Sequence, residues 1–355
     1  MDSSANRLVT ILSATLTVIF LLPSFAFAQT EPTEHLRDST PAVHALTNAT
    51  VVVAPGQQMD NATLVIRDGV VEEVGANVEP PSDARVRDME GRTIYPGFID
   101  PHSEVGMQDP REEIERGDTH WNPQVRSFMR ATDEFDAEED GSEALREQGF
   151  TVAQSVLPIG IFRGQTAAFS LSDAKASDRV VRPDIAQSMS LARSSELDVT
   201  YPNSPMGVMA LIRQTLHDAD WYERAHAAYE DNPADVKRPE SNAALKALQE
   251  AAEGDQPLLF ETRDEHEMLR SLKFEDEFPV EVWLRGSGHA YRILDRLAET
   301  DAPLILPLDF PETPDVDTPE DALNRDLDEL RHWYLAPENP ARVAEAYMEE
   351  ELLWS

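Results

Sequence analysis

From residue 94 onward, short apolar runs alternate with stretches of helical periodicity. A chain with that alternation folds as a parallel sheet whose strands are joined by crossover helices. The pattern predicts strands over 94–99, 150–157, 258–260, 280–284 and 304–308, and helices over 142–148, 264–272 and 289–298. Ser142 stands where an N-cap is expected, and Gly149 stops that helix. The nearly continuous apolar strands suit a sheet covered on both faces, so a barrel of β/α units leads and an open doubly wound sheet is second. No Gly-x-Gly-x-x-Gly follows any of these strands, so nothing supports a nucleotide site.

Ahead of this region, residues 43–95 read as short strands with turn signals. Pro55-Gly56 ends one run, and Asp68-Gly69 between two apolar runs is a strong hairpin signal. This β unit is too short to bury a good core alone. Two Asn-x-Thr triplets, at Asn48 and Asn61, have the pattern of glycosylation acceptors, and threonine's preference for strands explains them as well. Further on, a helix from Pro205 to about Tyr229 carries Met206, Met209, Ile212, Leu216 and Trp221 at helical spacing, a stripe suited to core packing.

The first 28 residues hold Arg7, an apolar run over 8–22 and the small-x-small triplet Ala26-Phe27-Ala28, the pattern of a secretory signal peptide. Cleavage would start the mature chain near Gln29, after which 29–42 read as a polar linker and the product is periplasmic or secreted, with no membrane association. The sequence has no cysteine, so a packed core must supply stability without disulfides. Its net charge is −37, and its lysines are only Lys175, Lys237, Lys246 and Lys273. The acids are spread along the chain, as in the hydrated acidic coat of a halophilic protein, which makes nucleic acid and anionic membranes poor partners.

The chemistry-bearing stretch is Tyr95–Gly106, "YPGFIDPHSEVG". Residues two apart on a strand share a face, so His102 and Glu104 would project together from the end of the first barrel strand. An imidazole and a carboxylate there could hold zinc or a similar divalent ion, although two ligands alone do not make a site.

"NATLVIRDGVVEEVG", followed after a short stretch by "GRTIYPGFIDPHSE", resembles the start of amidohydrolase superfamily members, especially imidazolonepropionase-like secreted bacterial ones. The resemblance implies a small β-sandwich segment followed by a metal-dependent TIM-like (β/α) barrel that hydrolyses non-peptide C–N bonds. In active members the first barrel strand ends in His-x-His. Here His102 fits the first imidazole and Glu104 occupies the second position. Phe260-Glu261-Thr262 stands where a fifth-strand histidine is expected, His266 lies further on within a helix, and His289 is a displaced candidate. "GIFRGQTAAFSL" and "RHWYLAPENPARVAEA" are similar to the first, metal-site-degraded module of tandem amidohydrolase proteins. On that likeness 96–347 form an incomplete barrel, truncated before the strand that would bear the catalytic aspartate, and 348–355 are an unrelated tail.

Three functions remain open at this stage. The first is a catalytically impaired amidohydrolase module with no metal bound. The second is an active metal hydrolase of a small amide or cyclic imide that uses His102 and Glu104. The third is a binding scaffold without chemistry, and in each case a partner chain could complete the barrel.

Overall fold

The computed structural model describes residues 42–107, 119–137, 141–197, 199–234, 237–300, 302–316, 318–347 and 352–354. The signal peptide, most of the linker and most of the expected tail lie outside these residues. Two compact units divide between Pro96 and Gly97.

Unit 1 is a five-stranded sheet of β1 (Val43–Ala54), β2 (Gln57–Arg67), β3 (Val70–Gly75), β4 (Arg85–Asp88) and β5 (Thr93–Ile94). The order is β3-β2-β1-β4, with β5 also on β1; β1, β2 and β3 are antiparallel neighbours, while β4 and β5 run parallel to β1. Asp68 and Gly69 both take positive φ, 51° and 79°, as a type I′ hairpin turn requires. Ala49, Val51, Ala62 and Leu64 form one small core, and Val43, Ala45 and Val65 a second. The two Asn-x-Thr asparagines have a local structural role. Asn48 and Asn61 sit at φ 55° and 50°, beside shifts in the β1–β2 register, and Asn48 Nδ2 donates to Asp88 Oδ1 at 3.0 Å.

The single strand expected over 94–99 is two strands. β5 closes at Ile94 and β6 (Phe98–Ser103) opens in unit 2, because Pro96 has no N–H for a ladder and the division between units follows it.

Unit 2 continues with β7 (Phe150–Ser155), β8 (Phe162–Gln165), β9 (Ala167–Ser170), β10 (Val180–Arg182), β11 (Gln187–Ser190), β12 (Leu258–Glu261), β13 (Val282–Arg285), β14 (Leu304–Leu306) and β15 (Leu352–Trp354). One sheet is ordered β10-β9-β7-β6, the other β15-β14-β13-β12-β11-β8. β6 and β7 are parallel, as are β11 through β15. This is the expected TIM-like barrel in incomplete form: no ladder joins β6 to β15 among the described residues.

One stave departs from the all-parallel expectation. β9 runs antiparallel to β7 and β8 antiparallel to β11, and only Thr166 separates β8 from β9, so one extended stretch bridges both sheets. Thr166 continues the bridge, its N–H donating to Ala186 O at 2.8 Å and its carbonyl accepting from Ile185 N at 2.9 Å. "GIFRGQTAAFSL" contains no crossover helix, and without one the chain can only turn back and pair antiparallel. Gly164 permits the fit at φ +122°, where an added Cβ would lie 2.5 Å from Met129 O.

Period-two alternation sorts the strands. Leu258, Phe260, Val282, Leu284, Leu304 and Leu306 join the main core with the helices, while Leu259, Trp283 and Ile305 pack with Val156 and Ala186 on the other face. The helix Pro205–Asp231 buries Val208, Leu211, Ile212, Thr215, Leu216, Ala219 and Tyr222. Met206 and Trp221 from the expected stripe are instead 83% and 57% exposed, because the buried stripe is centred on 208, 212, 216 and 219. Ser204 caps this helix by accepting from Gly207 N at 3.2 Å, with Pro205 in the first turn. Ser204→Ala should lower stability by about 1 kcal/mol, read as a shifted urea midpoint with an unchanged slope.

Two other helices differ from expectation. Ser142 is the first residue of Ser142–Glu147, and the left-handed Gly141 holds the N-cap position in its place; the Ser142 hydroxyl accepts from Arg179 Nη2 at 2.6 Å. The helix expected over 289–298 is a 3-10 turn, Ala290–Arg292, and a short helix, Leu294–Leu297. There the Tyr291 N–H donates to Asn339 Oδ1 at 2.7 Å, which places it outside a continuous helical ladder. No described helix is long and apolar enough to cross a membrane.

Candidate functional site

The inner strand face is apolar along its length and charged at one end. On β12, Leu259 is followed two residues later by Glu261; on β13, Trp283 is followed by Arg285. The register pairs Glu261 with Arg285 and with Ser190 of β11, so these strand ends form one row. β6 runs parallel to β7 and ends in Asp100 and His102, two residues apart. Arg163 enters from β8, where the β8–β11 register shifts. Apart from Arg163, near the N-terminal end of the antiparallel β8, these residues lie toward C-terminal strand ends, the face on which barrel enzymes place their chemistry.

Arg163 Nη1 pairs with Glu261 Oε2, their side chains keeping 12% and 29% of their surface. Burial alone would raise the Glu261 carboxyl. The Arg163 charge and hydrogen bond, then His102 and Arg285, outweigh burial and hold it below the usual carboxylate range. Burial is the main force on His102, pushing its imidazole down to about 4 with help from Arg285 and Arg163, against the pull of Glu261. Asp100 is raised by burial, although its carboxylate accepts the backbone N–H of His102 at 3.1 Å and a bond from the Ser103 side chain. At neutral pH the cluster therefore contains two guanidiniums, an ionised Glu261 and a neutral imidazole.

Glu104 lies one residue beyond β6, exposed in a turn closed by Met107 N donating to Glu104 O at 3.0 Å, while His102 stays partly buried in the strand. His266 is 66% exposed on the helix Glu265–Glu277, near Glu265. His289 stacks on His332 with centroids 3.8 Å apart and an 11° interplanar angle, its Nδ1 3.2 Å from Ser287 O. The structure thus brings His102 together with Glu261, Arg163, Arg285 and Asp100.

Those donors do not fit a divalent metal. Zinc needs about three or four protein ligands, and no group of three or more His, Cys, Asp or Glu able to hold a metal occurs among the described residues. Glu261 is already held by Arg163, and two guanidinium charges act on the same site.

Sequence reasoning noted Glu261 but gave it no role, and it missed Asp100, Arg163 and Arg285. A signal existed for both arginines: Arg163 is the lone charge in "GIFRGQTAAF", and Arg285 ends an apolar strand run.

No family model matches the chain. A dihydroorotase of Anaeromyxobacter dehalogenans is 46% identical over 63 residues, covering 18% of this chain and 14% of that protein. An imidazolonepropionase of Deinococcus deserti is 31% identical over 134 residues, covering 29% of this chain and 32% of that protein. The chain thus spans less than a third of the length of these curated relatives. An amidohydrolase from Thermotoga maritima superposes with a TM-score of 0.68 at 19% identity, over 88% of this chain and 77% of that one, which shows a shared fold. Local sequence identity to a dihydroorotase and an imidazolonepropionase, together with the fold shared with an amidohydrolase, supports membership of the amidohydrolase superfamily.

Proposed function

We propose that this chain is an exported amidohydrolase-fold module that does not hydrolyse C–N bonds. The observation that carries the reading is the Arg163–Glu261 ion pair at the strand ends, with Arg285 and a neutral His102 beside it. Hydrolysis requires an activated water and a proton acceptor near it. Glu261 is neutralised by Arg163, and an imidazole whose proton leaves at about pH 4 is a weak general base. A metal, if held, would supply Lewis-acid activation of water, but the residues present do not fit one. The signal-peptide pattern at the N-terminus supports export.

The test is metal content and turnover on the same preparation. After extensive dialysis the chain should carry far less than one zinc per molecule. With zinc or manganese added back, small amides and cyclic imides should hydrolyse no faster than in a buffer blank. Stoichiometric zinc lost on His102→Ala, or turnover abolished by that change, would favour an active metal hydrolase using His102 and Glu104.

A further inference from the structure

We propose that the inner face of unit 2 binds a small carboxylate at the ends of β6, β8, β12 and β13, with Arg285 as its main anchor and Arg163 and His102 as further donors. The inference rests on the reading that this cluster holds no metal. Three side-chain nitrogens converge there, buried and without a hydrogen-bond partner among the described residues: His102 Nε2, Arg163 Nε and Arg285 Nε. Both arginine Nε atoms are obligate donors, and an imidazole Nε2 becomes one when Nδ1 gives up its proton. Buried donors of this kind are paired in folded proteins, so the cluster lacks an acceptor.

Neither acid on this face bonds these nitrogens. The Glu261 carboxylate is engaged by Arg163 Nη1, and Asp100 accepts from the backbone N–H of His102 at 3.1 Å and from the Ser103 side chain. Among the described residues Arg285 donates from Nη1 to the carbonyl of its neighbour Gly286 at a long 3.4 Å, and its Nε has no partner. That edge presents two parallel N–H groups, a geometry matched by the two oxygens of a carboxylate and not by a spherical anion. Glu261 keeps 29% of its side-chain surface, so the rim of the cluster meets solvent while the three nitrogens lie buried beneath it. Leu259, Trp283 and Ile305 line the face behind it, which favours an anion with a short apolar body. The net charge of −37 opposes any anion's approach, so affinity should be modest, with a Kd of about 1–10 mM.

Formate and acetate titrated into the full chain at constant ionic strength, followed by calorimetry and thermal unfolding, test the proposal. Saturable binding should appear and weaken by about tenfold or more in Arg285→Gln. Arg285→Lys, which keeps the charge but not the fork, should lose most of the binding while retaining the wild-type circular dichroism spectrum. Absence of saturable binding, binding undiminished in both variants, or equal binding of chloride at the same ionic strength would overturn the proposal. Zinc measured in the same samples separates the two ideas. Stoichiometric zinc would overturn the metal-free reading, whereas metal-free protein that binds no carboxylate would overturn this inference alone.

Discussion

Arg163→Met should destabilise unit 2 by about 3 kcal/mol, measured as a lowered urea midpoint at pH 7, while the added change Glu261→Met should recover most of the loss. The asymmetry follows from burial. Arg163 keeps 12% of its side-chain surface and Glu261 29%, so removing the guanidinium alone leaves an ionised carboxylate desolvated and without its main partner. Breaking such a pair costs about 3–5 kcal/mol where both groups are fully buried, and the residual exposure of Glu261 places this case at the lower end. Removing both charges removes the desolvation problem as well, so two methionines of similar length are expected to be nearly neutral. A merely superficial salt bridge would give about 0–1 kcal/mol and no recovery. Arg285 remains in both variants and is the reason the single change is not worse, since its charge also acts on Glu261.

That pair shows where the sequence was readable. Local chemistry was legible: Asp68-Gly69 dictates its hairpin, Gly149 ends its helix, and alternating apolar runs mark β7, β12, β13 and β14. The family signature around "YPGFIDPHSE" anticipated a strand leading to His102, although that strand is Phe98–Ser103 and not 94–99. The antiparallel β8–β9 stave was not legible, because it depends on Gly164 approaching Met129 O, a contact that no periodicity records. The partners of His102 were hidden for a related reason. Arg163 and Glu261 are 98 positions apart, and only the register of β8, β11 and β12 brings them together. Sequence spacing proposed Glu104 as the companion of His102. The strand ends at Ser103, however, so the period-two rule that licensed the pairing has no strand to act on at residue 104.

Acid should weaken the fold through His102, and the sign is fixed by the direction of its shift. The folded-state imidazole is pushed down to about 4 from an ordinary 6.5, so between those values the unfolded chain binds the proton and the folded chain does not. Stability is therefore fully present above about pH 6.5 and is lost as the pH falls toward 4, by about 3 kcal/mol for a shift of this size. Glu261 adds a loss of the same sign at lower pH, since its carboxyl is held below its ordinary 4.5 and must be protonated as the medium acidifies past that value. The two windows separate the groups experimentally. In urea titrations at pH 7, 5.5, 4.5 and 3.5, His102→Gln should flatten the curve between 7 and 4.5 and leave the fall below 4.5 in place. Arg163→Met should narrow the His102 window as well, because the guanidinium is one of the charges that lower the imidazole, next to Arg285 and after burial. A His102→Gln variant with the same slope as the parent between pH 7 and 4.5 would mean that the imidazole is not held neutral by the cluster, and the site as built here would fail with it.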